Sequence, residues 1–360
     1  MKNISPRFSK FVKKMRDILT KKKIFKFIKI SYLAPFLSML LALAIGAIFI
    51  LIAGVNPLDA YRSVLVGAFG NLSVFGETLA KTTPLILCGL AIVVSFRTKV
   101  FNIGAEGQLY MGALAATIVA LALPGISSVL LIPLLFIVGF SAGAFWGFIP
   151  GVLKSKLRVN EVVTTMMLNF IATFFVSYMV SGPIKEPGAT NNWTSQLPFS
   201  ARLPTIISGT RIHLGVLIAI LCSFLVYIIL RKTVWGYQAE VVGSSRKAAL
   251  YGGIDPSRKI ISVMLLSGGL AGLAGMIEIS GVIHRLIDGF SPGYGFMAIA
   301  VAMLAKLNPV GVTLSALLFG TLIVGGGAMQ RATGIPIALV SVIMGLVVLL
   351  VLASEYYRSR

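Results

Sequence analysis

Residues 212–282 read IHLGVLIAILCSFLVYIIL (212–230), RKTVWGYQAEVVGSSRKAALYGGIDPSRK (231–259) and IISVMLLSGGLAGLAGMIEISGV (260–282). The outer two blocks are apolar over the roughly 20 residues that a helix needs to cross a bilayer. The middle block is polar and basic, with Gly, Ser and Ala at its centre. It is too long for a turn and too short for a domain. Two membrane spans joined by such a block describe a chain that offers a short helical element to a soluble partner.

The same alternation fills the rest of the sequence. Of 360 residues, 57% are hydrophobic and only 12% are charged, where soluble domains carry about 25%. Apolar stretches fall at 33–53, 83–96, 108–123, 129–153, 162–181, 212–230, 260–282, 294–305, 310–324 and 335–353. The expected fold is therefore an all-α, polytopic membrane helix bundle with about ten transmembrane helices. The stretches at 83–96 and 294–305 are short, which fits broken or tilted helices lining a cavity. Segment 33–53 is too long for a signal-peptide core and no cleavage site follows it, so it reads as an uncleaved span. The chain divides into a basic N-terminal segment at 1–32, a membrane domain at 33–353 and a tail at 354–360.

The formal net charge of +21 is concentrated at one side of the bilayer. With the N-terminus inside and ten crossings, 25 of the 32 Lys and Arg fall on the inner side, eleven of them in residues 1–29. Only Arg62, Lys81, Lys185, Arg202, Arg211, Arg285 and Arg331 remain outside. Positive charge collects on the cytoplasmic side, so both termini and loop 231–259 are expected there. Basic residues beside a first span touch anionic membrane lipid, and their placement argues against a nucleic-acid partner. The longest external loop, 182–211, contains Pro183, Pro187, Pro198 and Pro204. It reads equally as a cap over the outer mouth and as a passive connector.

Several kinds of chemistry are missing. There is no phosphate-binding G-x-x-x-x-G-K-[ST] motif, no His/Cys cluster with metal spacing and no nucleophile elbow. Cys88 and Cys222 lie in apolar stretches and read as buried hydrophobes. No catalytic residue, metal site or cofactor is expected.

Polar residues inside apolar surroundings mark the candidate solute path. FNIGAEGQ at 101–108 brings Asn102, Glu106 and Gln108 to a helix start, where each costs several kcal/mol if left unpaired. It is either a pore-facing hinge or a helix N-terminus capped by Asn102 with Glu106 on its dipole. In NEVVTTMMLNFIA at 160–172, Thr165 and Asn169 are four apart and share a face. They suit a polar solute or a neighbouring helix. Gly268, Gly272 and Gly275 recur at three- and four-residue steps, a packing pattern. Nearby Glu278 is an acid inside a span, set to meet solute, the outer interface or Arg285. In GFSPGYGF at 289–296, Phe290 is placed to stack on a planar solute or to join an interfacial aromatic belt. A faint echo relates Ala91-Ile92-Val93-Val94 and Lys99 to Ala298-Ile299-Ala300-Val301 and Lys306, as in transporters built from repeats.

FNIGAEGQ, NEVVTTMMLNFIA and GSSRKAALYGGI at 243–254 together resemble the permease subunits of bacterial ABC importers, in the superfamily of the ribose and branched-chain amino acid permeases. The match looks nearest to the nucleoside, guanosine-type branch and covers most of 33–353. The resemblance implies a subunit that moves nucleosides across the bacterial cytoplasmic membrane by alternating access. It also implies an ABC ATPase, a second homologous permease and an external substrate-binding lipoprotein as partners. A coupling helix would be formed by Ser244, Ser245, Arg246, Lys247, Ala248, Ala249, Leu250 and Tyr251, seated in a groove of the ATPase. Within the superfamily the alternative solute is a sugar of the ribose type. Outside it the alternative is an ion-coupled secondary transporter, although Glu106, Glu161 and Glu278 are scattered rather than paired as a relay.

Overall fold

The computed structural model describes residues 37–38 and 40–359. The basic segment at 1–32 lies outside the described residues, as do the side chains of the tail at 354–360. Among the described residues the secondary structure is helical, with only two isolated bridges, Trp193 to Ile287 and Thr205 to His213, in extended pairing. In chain order the helices are α1 (Leu40–Ile52), α2 (Pro57–Phe69), α3 (Leu72–Phe96), α4 (Ala105–Ala122), α5 (Ser128–Leu157), α6 (Glu161–Ser181) and α7 (Leu214–Lys232). They continue with α8 (Val234–Ser244), α9 (Arg246–Tyr251), α10 (Pro256–Glu278), α11 (Tyr294–Leu304), α12 (Pro309–Thr333) and α13 (Ile337–Ser359).

Seven of these are long and apolar enough to span a membrane, or eight if α1 and α2 are one span bent by 116°. The expected span at 33–53 thus leads into a second helix instead of a loop, tied back by the Tyr61 hydroxyl, which donates to the Leu43 carbonyl. Two further boundaries differ from the sequence reading. α3 starts eleven residues before position 83. Its polar first half is tolerated because Thr78, Thr82 and Thr83 donate to carbonyls one turn back and Glu77 and Lys81 are ion-paired. α12 continues past 324 through Gly325, Gly326 and Gly327 to Thr333. Glycine normally weakens a helix, but here Gly325 lies against Val64 and Gly326 against Val340, where no side chain would fit.

α10 is the hub, buried on nearly every side and packed on α3, α4 and α5. Its contact with α5 is a seam of small residues. Gly139, Gly143, Gly147 and Gly151 follow one another every four residues, and they meet Met276, Gly272, Gly268 and Met264 in antiparallel order. A Cβ at Gly143 would strike the Gly268 carbonyl and the Gly272 Cα. In lipid, where apolar surfaces gain nothing from leaving water, such backbone approach is what holds helices together. α3 is likewise buried all round from Thr82 to Ser95, as expected of a central helix. The echoed segments both lie on packed helices, α3 and α11, and Lys99 and Lys306 share a left-handed backbone, with φ of 53° at each.

The loops expected inside converge on one face. Arg97 pairs with Glu240 at 3.7 Å, Lys154 pairs with Glu161 at 2.6 Å, and Val100, Val242, Ala249, Ile260 and Met264 form a small core beneath them. The loops expected outside meet on the opposite face, where Arg211 pairs with Glu77 at 3.0 Å and Arg285 with Glu186 at 3.6 Å.

Substituting Gly143→Val should force α5 off α10 and cost about 1–3 kcal/mol or more, since overpacked backbone cannot relax as a side chain can. Gly345→Ala, where nothing lies within 4 Å of the new methyl, should be neutral. Thermal unfolding of the two detergent-purified variants measures the difference.

Candidate functional site

The polar residues of 101–108 fold into a break of helix held inside the bundle. Asn102 is fully buried. Its Nδ2 donates to Gln108 Oε1 at 2.9 Å and to Ser267 Oγ at 2.8 Å, and its Oδ1 accepts from the Gly104 amide at 3.0 Å. Ser267 in turn donates to the Ala91 carbonyl at 2.6 Å, so α3, α4 and α10 are joined through one network. Asn169 reaches across from α6 to the same break. Its Oδ1 accepts from the Gly107 amide at 2.8 Å and its Nδ2 donates to the Ile103 carbonyl at 2.9 Å. Gly107 allows this close approach, since a Cβ there would lie 3.0 Å from the Asn169 Cα and Oδ1. Thr165 is buried one turn earlier on α6, with its hydroxyl donating to the Glu161 carbonyl at 2.7 Å.

A second break faces the first. α10 ends in a π-helical turn, Ile279–Ile283, and the chain then turns back before α11 begins at Tyr294. Glu106, in the first turn of α4, accepts the Gly295 amide at 2.6 Å on Oε2. The carboxylate of one helix start therefore caps the other, where free N–H groups and the helix dipole favour negative charge. One turn along α4, the Tyr110 ring packs on Phe290 with centroids 4.7 Å apart. Glu278 is fully buried and accepts Lys81 Nζ at 2.8 Å and the Tyr294 hydroxyl at 3.3 Å. Its ion partner is thus Lys81 on α3, not Arg285, which pairs with Glu186 and stacks on Trp193.

The candidate path residues accordingly form three groups: Asn102, Gln108, Asn169 and Thr165 around the α4 break, Glu106 and Phe290 between α4 and the approach to α11, and Glu278 at the C-terminal end of α10. Ser267, Lys81 and Tyr110 complete these groups and escaped the sequence reading. A serine in the middle of the apolar stretch 260–282 and a lone lysine in a threonine-rich stretch were the visible signals.

Loop 182–211 lies over the second break. Thr194 N donates to Leu286 O at 2.9 Å, Leu197 N to His284 O at 2.9 Å, Leu203 N to Ser280 O at 2.9 Å, and Asp288 N to Asn192 O at 3.1 Å. It is a fitted cap, and its Phe199 ring stands 83% exposed with the Arg202 guanidinium stacked on it at 4.2 Å.

On the face expected to lie inside, α9 is capped by Ser245, whose hydroxyl accepts the Ala248 amide at 3.2 Å. Ser244, Ser245, Arg246, Lys247 and Ala248 are exposed, Leu250 is 63% exposed and Tyr251 94%. Ala249 differs from its neighbours: it is fully buried and holds α9 to the protein itself.

The family described as branched-chain amino acid transport system, permease component, matches residues 74–352. The glucose ABC transporter permease protein TsgB13 of Haloferax volcanii is 38% identical over 341 residues, covering 91% of this chain and 89% of that protein. The guanosine ABC transporter permease protein NupP of Bacillus subtilis is 37% identical over 332 residues, covering 91% and 94%. The nucleoside ABC transporter permease protein NupB of Lactococcus lactis is 34% identical over 325 residues, covering 88% and 89%.

The chain entering α7 from loop 182–211 carries an acid-sensitive contact. His213 is fully buried at the start of α7, and its Nδ1 accepts the Gly215 amide at 3.2 Å. Only a neutral imidazole can accept there. Burial, with a smaller contribution from His284 beside it, lowers the His213 pKa from 6.5 to about 4. His284 is itself pushed down by burial and by Arg202 and Arg211. Because the folded value lies below the unfolded one, this stabilisation is full above about pH 6.5 and is lost as pH falls towards 4. The loss should reach on the order of 2 kcal/mol by pH 5. His213→Asn keeps a capping acceptor without the titration and should flatten the dependence, as read by thermal unfolding of purified protein between pH 7.5 and 5.

Proposed function

The chain belongs to the branched-chain amino acid transport system permease family, and on that premise we propose that it is one of two membrane subunits of an ATP-driven nucleoside importer. It is a conduit and not an enzyme. Its partners are an ABC ATPase, a second homologous permease and an external substrate-binding lipoprotein, in the cytoplasmic membrane of a bacterium. The observation that carries the solute is the likeness to the guanosine permease of Bacillus subtilis and the nucleoside permease of Lactococcus lactis over nearly the whole chain. The similar identity to the Haloferax glucose permease favours a sugar as the second reading.

Ten crossings with both termini inside are supported by the helices and by the charge. α1 with α2, α11 and α13 join the other seven long helices to make ten. Arg97 and Lys99, Lys154, Lys156 and Arg158, and loop 231–259 then lie in the cytoplasm. On that face Leu250 and Tyr251 present apolar surface that the protein does not use, beside Arg246 and Lys247. This is the surface proposed to seat in the ATPase, so that closure of the ATPases on ATP shifts the bundle between inward and outward access. The solute path is proposed to run past Glu106, Phe290 and Glu278, between the two helix breaks. Broken helices meeting inside a membrane recur where transporters hold their solutes. Asn102, Gln108, Thr165 and Asn169 border it from the inner half.

Uptake of radiolabelled guanosine in a strain lacking the importer should be restored by the intact gene set and should be competed by other nucleosides, not by glucose. Tyr251→Glu should leave the protein in the membrane, abolish uptake and lose the ATPase on co-purification, because the charge is placed on a surface that must be desolvated. Restored uptake of glucose alone would overturn the solute, and unchanged uptake by Tyr251→Glu would overturn the coupling surface.

A further inference from the structure

Asp288 stands apart from the acids around it. Glu77, Glu186 and Glu278 are each ion-paired, with Arg211, Arg285 and Lys81. Asp59 sits in the first turn of α2, where the helix start accounts for it. Asp288 is exposed and has no cation against it among the described residues. Its Oδ2 accepts only the neutral Ser177 hydroxyl, at 3.1 Å, from the outer end of α6. A carboxylate has room for about four donors, so most of its accepting capacity is unused.

Its backbone is nonetheless fixed. Ile287 pairs with Trp193, the Asp288 amide donates to the Asn192 carbonyl at 3.1 Å, and Gly289 turns the chain with φ of +66°. Two residues on, Phe290 is half-buried, with its ring packed on that of Tyr110 at 4.7 Å and tilted by 52°. Tyr110 is almost completely buried, one turn from Glu106. A free carboxylate and a supported aromatic ring thus stand on one rigid turn, above the place where the two helix breaks meet.

We propose that this turn is the outer entry site for the solute, with the Asp288 carboxylate accepting from the two ribose hydroxyls and the Phe290 ring contacting the base. The assignment rests on the nucleoside reading above. Residues two apart are separated by at most about 7 Å, comparable to the distance from a nucleobase to the diol of its own ribose. Two vicinal hydroxyls match the two oxygens of a carboxylate, and a ring supported from behind offers stacking at little cost in entropy. An acid with no neighbouring cation also repels phosphate, so the site selects nucleosides over nucleotides. Ser177 is a positioning residue that holds Asp288 toward α6.

The test is guanosine uptake in cells carrying the complete importer, with 2′,3′-dideoxyguanosine and guanosine monophosphate as competitors. The external binding protein is unchanged between strains, so a shift in discrimination belongs to the permease. Asp288→Asn should raise the KM for guanosine about tenfold, the range expected for hydrogen bonds to a charged group. It should narrow the preference for guanosine over the dideoxy compound by a similar factor and leave membrane abundance normal. Ser177→Ala should narrow the same preference by a smaller factor, and it decides the matter if Asp288→Asn fails to reach the membrane. An unchanged preference in the variant assayed, with guanosine still carried, overturns the site. Wild-type cells that take up glucose and no guanosine overturn the nucleoside reading instead.

Discussion

Backbone that enters a bilayer without forming a helix must find every hydrogen-bond partner inside the protein, and the architecture of this chain follows from how it meets that demand. The segment before α4 and the segment before α11 both interrupt helices within the bundle. The first is held by Asn102 and Asn169, which together engage the amides of Gly104 and Gly107 and the carbonyl of Ile103. The second is held by Glu106 on the Gly295 amide. Because Glu106 belongs to α4, the two breaks are locked to each other. Because Asn102 also bonds Ser267, both are locked to α10.

α10 can serve as that anchor only because it lies so close to its neighbours. The glycines spaced by four along α5 remove the side chains that would otherwise keep the two backbones apart. The first turns of α10 join Val100 and Val242 in a compact apolar cluster through which Ala249 fastens α9. The exposed Leu250 and Tyr251 therefore stand on a short helix that is fastened to α10 through Ala249. The two breaks locked to α10 are the irregular places in the bundle where alternating access has structural room to occur.

Much of this was legible in the sequence. Apolar stretches of membrane length gave the helical class, and the helices α5, α6, α7 and α10 lie within a few residues of the stretches that announced them. FNIGAEGQ was visible as polar chemistry at a helix start. What periodicity cannot show is which carboxylate meets which cation: Glu278 pairs with Lys81 almost two hundred positions away, not with the nearby Arg285. Hydropathy also hid the polar first half of α3, whose threonines satisfy themselves on their own helix. The apolar stretch at 310–324 stopped short of the glycine run at 325–327, whose tertiary neighbours are invisible in one dimension. The four-residue glycine spacing of α5 was readable and was overshadowed by the glycines of α10. Asp288 gave no signal at all, since an exposed acid on a turn is ordinary until the fold shows no cation beside it among the described residues.

The most direct test of the clamp is the thermal stability of Asn169→Leu. Leucine keeps the size of asparagine and removes both hydrogen bonds, leaving the Gly107 amide and the Ile103 carbonyl unsatisfied at about 1–3 kcal/mol each. The purified variant should unfold several degrees below the wild type, with abundance and guanosine uptake falling together. An unchanged unfolding temperature and normal abundance with uptake lost would contradict the clamp and place Asn169 on the solute itself.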